Sequence, residues 1–232
     1  MSMDIIKQWD NAAIAYTDSQ EQSSFVKINM RVVSDRFKDL SNLTVLDAGC
    51  GYGNFTEYIR FVGAKVTGCD GSKKMINIAK ERYPQCSFDT VDMSNIFPYE
   101  DNIFDIVFSN QVLMDIENIE TTLSEMSRVL RNHGTFYLSI VHPAFYDGTW
   151  QVNKNEMKIA KSIDKYISRY SFDNEFWGKT THFHRPISYY FNLAAYNNLF
   201  LTHMEEPKTY DGIHTTDEIP LFLFAEFQKC ML

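Results

Sequence analysis

The segment that decides the fold reads Val45-Leu46-Asp47-Ala48-Gly49-Cys50-Gly51-Tyr52-Gly53-Asn54-Phe55. An apolar run ends at a carboxylate, three glycines follow at alternate positions, and helical periodicity begins at Phe55. Glycine lets the backbone turn tightly and approach a ligand, and a helix N-terminus behind the turn offers free N–H groups. Strand, ligand-binding turn and helix are therefore predicted in that order. Outward from this unit, short apolar runs at 44–47, 65–69, 87–91, 104–109, 135–141 and 221–227 predict strands. Helical stretches at 55–62, 72–83, 121–130 and 187–200 fall between them, with Ser72 as a cap and Gly63 and Pro84 as stops. Apolar spacing predicts two further helices in the first forty residues. Unbroken apolar strands separated by helices imply a doubly wound α/β sheet, mainly parallel and covered on both faces. Ligands of such sheets bind at the carboxyl ends of the strands.

The chain has 232 residues, 44% of them hydrophobic and 22% charged, with a net charge of −8. That length predicts a single domain over 1–232 and a large core. The acidic balance argues against tight binding to a phosphate backbone, so nucleic acid is an unlikely partner. Cys50, Cys69, Cys86 and Cys230 form no CxxC pair and have no His at zinc spacing, so they read as reduced thiols and no metal is expected. The N-terminus lacks an export signal and no apolar run reaches a membrane-spanning length, which predicts a cytoplasmic protein away from the membrane. Aromatic content is high, with 18 Phe and 13 Tyr. Phe104, Phe108 and Phe136 lie in predicted strands, while a second group gathers between Phe145 and Phe191.

Two ligand classes compete for the glycine loop. A dinucleotide site wants G-x-G-x-x-G, but the third small residue would stand at Asn54, and the spacing here is G-x-G-x-G. Asp47 would also repel a pyrophosphate, which disfavours an NAD-dependent oxidoreductase. It suits a ligand with a positive amino group, such as the methionyl end of S-adenosylmethionine. Asp70, about twenty residues on at the second strand end, is placed to accept hydrogen bonds from two ribose hydroxyls. Asp92 and Met93 offer an adenine acceptor and an apolar surface, and Ser109-Asn110-Gln111 lies where the reacting end would sit.

With these residues in place, the sequence resembles the class I S-adenosylmethionine-dependent methyltransferases of the broad small-molecule type (methyltransferase type 11-like). VLDAGCGYGNF resembles the family's first motif, VTGCD with SKKMINIAK the second, DTVDM the third and FDIVFSNQVLMDI the fourth. LSEMSRVLRNHGTFYLSIVHP is similar to the helix and strand that close the core. The resemblance implies a seven-stranded Rossmann-like sheet with an antiparallel last strand and S-adenosyl-L-homocysteine as product. It implies cofactor contacts at Asp47, Gly49, Cys50, Gly51, Asp70, Gly71, Met75, Asp92, Met93 and Asn110. WDNAAIAY is similar to a segment that folds a Tyr over the cofactor in many relatives, which points to Tyr16.

The chain then divides into a helical cap (1–40), a cofactor-binding core (41–142), a lid or substrate segment (143–186) and a C-terminal helix with strands (187–232). In the lid, Lys154, Lys158, Lys161, Lys165 and Arg169 recur at helical spacing and predict an amphipathic helix. From Gln151 to Arg185 seven basic residues face four acidic ones, a mildly basic stretch on an acidic body. Phe145, Trp177 and Tyr190 are the expected substrate-pocket residues, with Tyr189 a further candidate. His142 and His184 are the expected general bases, and His182 would share one side of a strand with His184. The expected activity is in-line methyl transfer to an N, O or C atom of a small molecule. An RNA methyltransferase, supported locally by the basic helix alone, and a non-catalytic S-adenosylmethionine-binding regulator are the alternatives.

Overall fold

Apolar periodicity at Ile5, Trp9, Ala12, Ala13 and Tyr16 builds helix α1 (Met3–Gln20), and Ser23 caps α2 (Ser24–Arg36) by accepting from the Phe25 N–H. The computed structural model describes residues 3–21, 23–208 and 218–230; the ends of the expected domain, 1–2 and 231–232, lie outside them. After the two helices the chain alternates as the sequence predicts: β1 (Thr44–Ala48), α3 (Asn54–Phe61), β2 (Lys65–Asp70), α4 (Lys73–Arg82), β3 (Ser87–Thr90) and β4 (Phe104–Asn110). A short 3-10 helix (Leu113–Asp115), α5 (Ile119–Val129) and β5 (Leu130–Val141) follow. Then come β6 (Thr149–Val152), β7 (Lys158–Ser162), β8 (Tyr170–Asn174), β9 (Thr180–His184), α6 (Ile187–Tyr196), β10 (Leu199–Glu205) and β11 (Phe222–Lys229).

Seven strands form the main sheet in the order β10-β11-β5-β4-β1-β2-β3. β11 runs antiparallel to both neighbours, and the pairs among β1 to β5 are parallel. This is the Rossmann-like architecture the resemblance implied. β1 pairs with β2 on one side and β4 on the other, so chain order reverses there and the loops after β1 and β4 flank a crevice. One face of the sheet is covered by α2 and α3 through Ile28, Val33 and Ile59, the other by α5 and α6 through Leu123, Met126, Tyr190 and Ala194. Phe104, Phe108 and Phe136 are core, and Phe108 stacks on Tyr137 with ring centroids 5.1 Å apart. None of the described helices is long and apolar enough to cross a membrane.

Two expectations are corrected. The predicted amphipathic helix over the lid lysines does not form; the segment makes two antiparallel hairpins, β6–β7 and β8–β9. The register of β6–β7 shifts between Gln151 and Val152, which pair with Ala160 and Lys158 and leave Ile159 as an extra residue. The bulge brings Lys158 and Lys161, three apart, against one Trp150 ring at 5.4 and 4.6 Å, imitating helical spacing in a strand. Likewise the predicted helix over 187–200 stops at Tyr196. Asn198 takes a left-handed φ of 60°, and Leu199 begins the edge strand β10.

Candidate active site

The loop after β1 uses its glycines for different purposes. Gly49 (φ +82°) and Gly53 (φ +87°) are pressed against side chains: an added Cβ would lie 2.4 Å from Val112 Cγ2 and 2.8 Å from Phe88 Cζ. Gly51 (φ +53°) differs, because a Cβ there would meet nothing within 4 Å. That open space faces a cavity between the ends of β1 and β4. Asp70, ending β2, steadies the loop by accepting from the N–H groups of Gly51 (3.0 Å) and Ser72 (2.8 Å). Burial pushes its carboxyl up, and those two N–H groups oppose the shift. Asp47 is 1% exposed and accepts from Thr56 Oγ1 at 2.6 Å; burial raises its pKa to about 7.

Ten of the eleven expected cofactor-contact residues line this cavity: Tyr16, Asp47, Gly49, Cys50, Gly51, Asp70, Gly71, Met75, Met93 and Asn110. Asp92 stands apart. Its carboxylate accepts from Ser94 N, Ser94 Oγ and Asn95 Nδ2, closing the turn after β3. The residues present fit S-adenosylmethionine by chemistry. Gly51 leaves a cradle a side chain would fill, Asp47 and Asp70 supply carboxylates for amino and hydroxyl donors, and Met75 and Met93 provide apolar walls for a planar ring.

Helix α1 roofs the cavity. Asp10 accepts from Ser72 Oγ (2.6 Å) and from the Lys74 N–H (3.1 Å), fastening α1 to the start of α4. Gly71 permits the close approach, since a Cβ there would lie 3.2 Å from Ile6 Cγ1. Tyr16 sits edge-on to Trp9 (5.3 Å) and to Trp177 (4.9 Å), the latter from the β8–β9 turn. Burial, then Tyr52, Asp115 and Asp70, hold the Tyr16 phenol in its protonated form.

A second cleft, of about 940 Å³, continues from the first. Trp9, Tyr16, Phe55, Asn110, Gln111 and Asp115 line both. Tyr146, Trp150, Phe172 and Trp177 give the second cleft aromatic walls, and Lys158, Lys161 and His182 also line it. Lys161 Nζ donates to the carbonyls of Phe145 and Tyr146, and burial followed by Lys158 lowers its pKa to about 8.

The other expected residues lie elsewhere. His142 is enclosed: its Nδ1 accepts from the Ala144 N–H and its Nε2 is 2.6 Å from Glu206 Oε1. Burial lowers its pKa against the pull of Glu206. His184 donates from Nε2 to the Tyr166 carbonyl and stacks on Tyr170 at 4.6 Å. Neither lines the two cavities of the site. Phe145 packs on the His142 ring at 4.6 Å, Tyr190 is a core side chain, and Tyr189 faces the surface near Glu120. Of the expected pocket residues, Trp177 is the one at the cleft. Asp115 escaped the sequence reading, although it is a lone acid in the apolar run Val112-Leu113-Met114-Asp115-Ile116; His182, expected beside His184 on one side of a strand but not as a base, shares the inward side of β9 with Thr180 and His184. Only the fold brings them together.

Residues 46–138 match the family described as "Methyltransferase domain". The chain belongs to the class I S-adenosylmethionine-dependent methyltransferases. The malonyl-acyl-carrier protein O-methyltransferase of Buchnera aphidicola is 30% identical to this methyltransferase over 63% of the chain and 66% of its own length. The trans-aconitate 2-methyltransferase of Variovorax paradoxus is 34% identical over 41% of the chain and 38% of its own length. The chain thus spans two thirds or less of these curated relatives. Among solved structures, an S-adenosylmethionine dependent methyltransferase from Mesorhizobium loti superposes with a TM-score of 0.75 at 19% identity, covering 90% of this chain and 99% of that one. The likeness carries the fold.

Proposed function

We propose that this methyltransferase transfers a methyl group from S-adenosylmethionine to a small, planar acceptor held in the aromatic cleft. The observation that carries this reading is the continuity of the two cavities through Asn110 and Gln111 at the end of β4 and Asp115 in the 3-10 helix after it, where cofactor and acceptor would meet. When bound, the cofactor supplies an electrophilic methyl group on a sulfonium sulfur. Asp47 and Asp70 hold its polar ends, Met75 and Met93 flank its ring, and Tyr16 with Trp177 excludes water. Catalysis then rests mainly on placement of the nucleophile. In this division of labour 1–40 roofs the cofactor, 41–142 binds it, 143–186 walls the acceptor and 187–232 completes the sheet. The names of the relatives, a malonyl-acyl-carrier protein O-methyltransferase and a trans-aconitate 2-methyltransferase, support a small-molecule or carrier-bound acceptor. The RNA reading loses its local support, because Lys158 and Lys161 fold over Trp150 at the cleft.

Incubation of the purified protein with methyl-labelled S-adenosylmethionine and a panel of phenols, amines and carboxylic acids tests the reading. Transfer to at least one acceptor is expected. Cofactor binding without transfer to any would favour the non-catalytic regulator.

A further inference from the structure

Asp115 and His182 meet where the cofactor cavity opens into the acceptor cleft. Asp115 ends the short 3-10 helix after β4, and His182 is the middle residue of β9. Asp115 Oδ1 lies 3.1 Å from His182 Nε2, without the alignment of a hydrogen bond, and neither that oxygen nor either ring nitrogen has another partner. Both residues are buried, at 8% and 4% exposure. Polar atoms buried without partners are costly and are uncommon in native proteins away from functional sites. Tyr146 stacks near-parallel on the imidazole at 6.1 Å and Phe172 stands 5.6 Å away, so a flat ring would lie among flat rings.

We propose that Asp115 and His182 together accept the proton of a protic nucleophile, the hydroxyl of a phenol-like acceptor, bound in this cleft. The inference rests on the methyl-transfer reading above and deepens it by naming the acceptor class. In the step, the acceptor O–H bond breaks and its electron pair stays on oxygen, which becomes the nucleophile. The proton joins the pair, resting on the Asp115 carboxylate beside the neutral imidazole, and passes to water once the product has left. Before the step the pair carries one negative charge; afterwards it is neutral overall. Burial makes the charged form the costly one: it raises the Asp115 carboxyl well above its ordinary value, with Asp70 adding to the shift, and lowers His182 to about 4. Taking up the proton relieves that cost, which strengthens the base. The other titratable groups near the pair are Tyr16, Asp47, Cys50, Tyr52 and Asp70 on the cofactor side, Tyr146, Asp147 and Asp173 on the cleft walls, Lys158 and Lys161 also lining the cleft, and His142, His184, Arg185 and Tyr190 behind His182. The pair titrates as a unit, and below its apparent pKa it already holds the proton and cannot accept another. Turnover of a phenol therefore rises with pH. A carboxylate acceptor has no proton to lose and would not need the pair.

4-Nitrophenol reports the step directly, because its phenolate is yellow and its phenol is not. It is titrated into the protein saturated with S-adenosylhomocysteine, across a pH series. The expected result is binding with the apparent pKa of the bound dye lowered, so that it is yellow at pH values where the free dye is mostly colourless. His182→Asn and Asp115→Asn should bind the dye and lose the shift. In the wild-type protein, above the apparent pKa of the pair, the infrared carbonyl band of a protonated carboxyl should grow on dye binding and be missing from the same difference spectrum of Asp115→Asn. Absence of dye binding, no growth of the protonated-carboxyl band, or a shift that persists in both variants and so belongs to Lys158 and Lys161 would each overturn the proposal. Failure of S-adenosylhomocysteine itself to bind, seen by calorimetry before dye is added, would instead refute the cofactor reading.

Discussion

Asp47 shows how a single residue trades stability for binding. Its ordinary value of 3.8 rises to about 7 in the folded chain, so between those values the native state keeps a proton that the unfolded chain has released. The contribution of Asp47 to stability must therefore fall as pH rises from about 4 to about 7 and stay level above. Asp47→Asn keeps an acceptor for Thr56 and removes the buried charge. Thermal unfolding should show the variant gaining over wild type between pH 5 and 7, with a ceiling on the order of 4 kcal/mol reached by pH 8, while its affinity for S-adenosylhomocysteine drops. Parallel stability profiles would contradict the account. The glycines separate along the same line. Gly49→Ala drives a Cβ into Val112 and should cost about 2–5 kcal/mol of stability, from overpacking and a left-handed backbone together. Gly51→Ala meets nothing and should cost only about 1–2 kcal/mol, yet weaken S-adenosylhomocysteine binding roughly tenfold or more by entering the cradle. Denaturant melts and calorimetry on both variants distinguish the two roles.

At the scale of elements, the sequence was legible wherever local pattern and tertiary environment agree. β1, β2, β4 and β5 are apolar because they are buried on both faces, and Ser72 caps α4 by accepting from the Met75 N–H as its position predicts. The hairpins were illegible because the bulge at Ile159 gives a strand the three-residue spacing of a helix, and because Lys161 is anchored by carbonyls far from it in sequence. β10 escaped notice for a related reason: six of its seven residues are exposed, so it has no buried face to print an alternation. Lys161→Met leaves the Phe145 and Tyr146 carbonyls without that donor, at about 1–3 kcal/mol. Amide exchange across β6 and β7 should quicken by roughly 5- to 100-fold, with exchange in β1 to β5 unchanged. Equal acceleration everywhere would mean that Lys161 supports the whole fold and not the hairpin.

For the whole molecule, the net charge of −8 conceals a mildly basic pair of hairpins beside an acidic body. The aromatic excess resolves into core rings such as Phe108 and Tyr137 and a cluster around the site that includes Trp9, Tyr16, Trp177 and Tyr146. The cofactor half of the site follows contiguous strand ends and could be read from motifs. The acceptor half is assembled from α1, the 3-10 helix and two hairpins, so its residues share no local pattern; that is why His142 and His184 read as the bases from sequence, while Asp115 went unread and His182 read only as a strand neighbour of His184. The central claim is that the crevice between β1 and β4 binds S-adenosylmethionine and its product. Isothermal calorimetry with S-adenosylhomocysteine and, separately, NADH tests it most directly: saturable one-to-one binding of the former and none of the latter is predicted, whereas NADH binding without S-adenosylhomocysteine binding would contradict it.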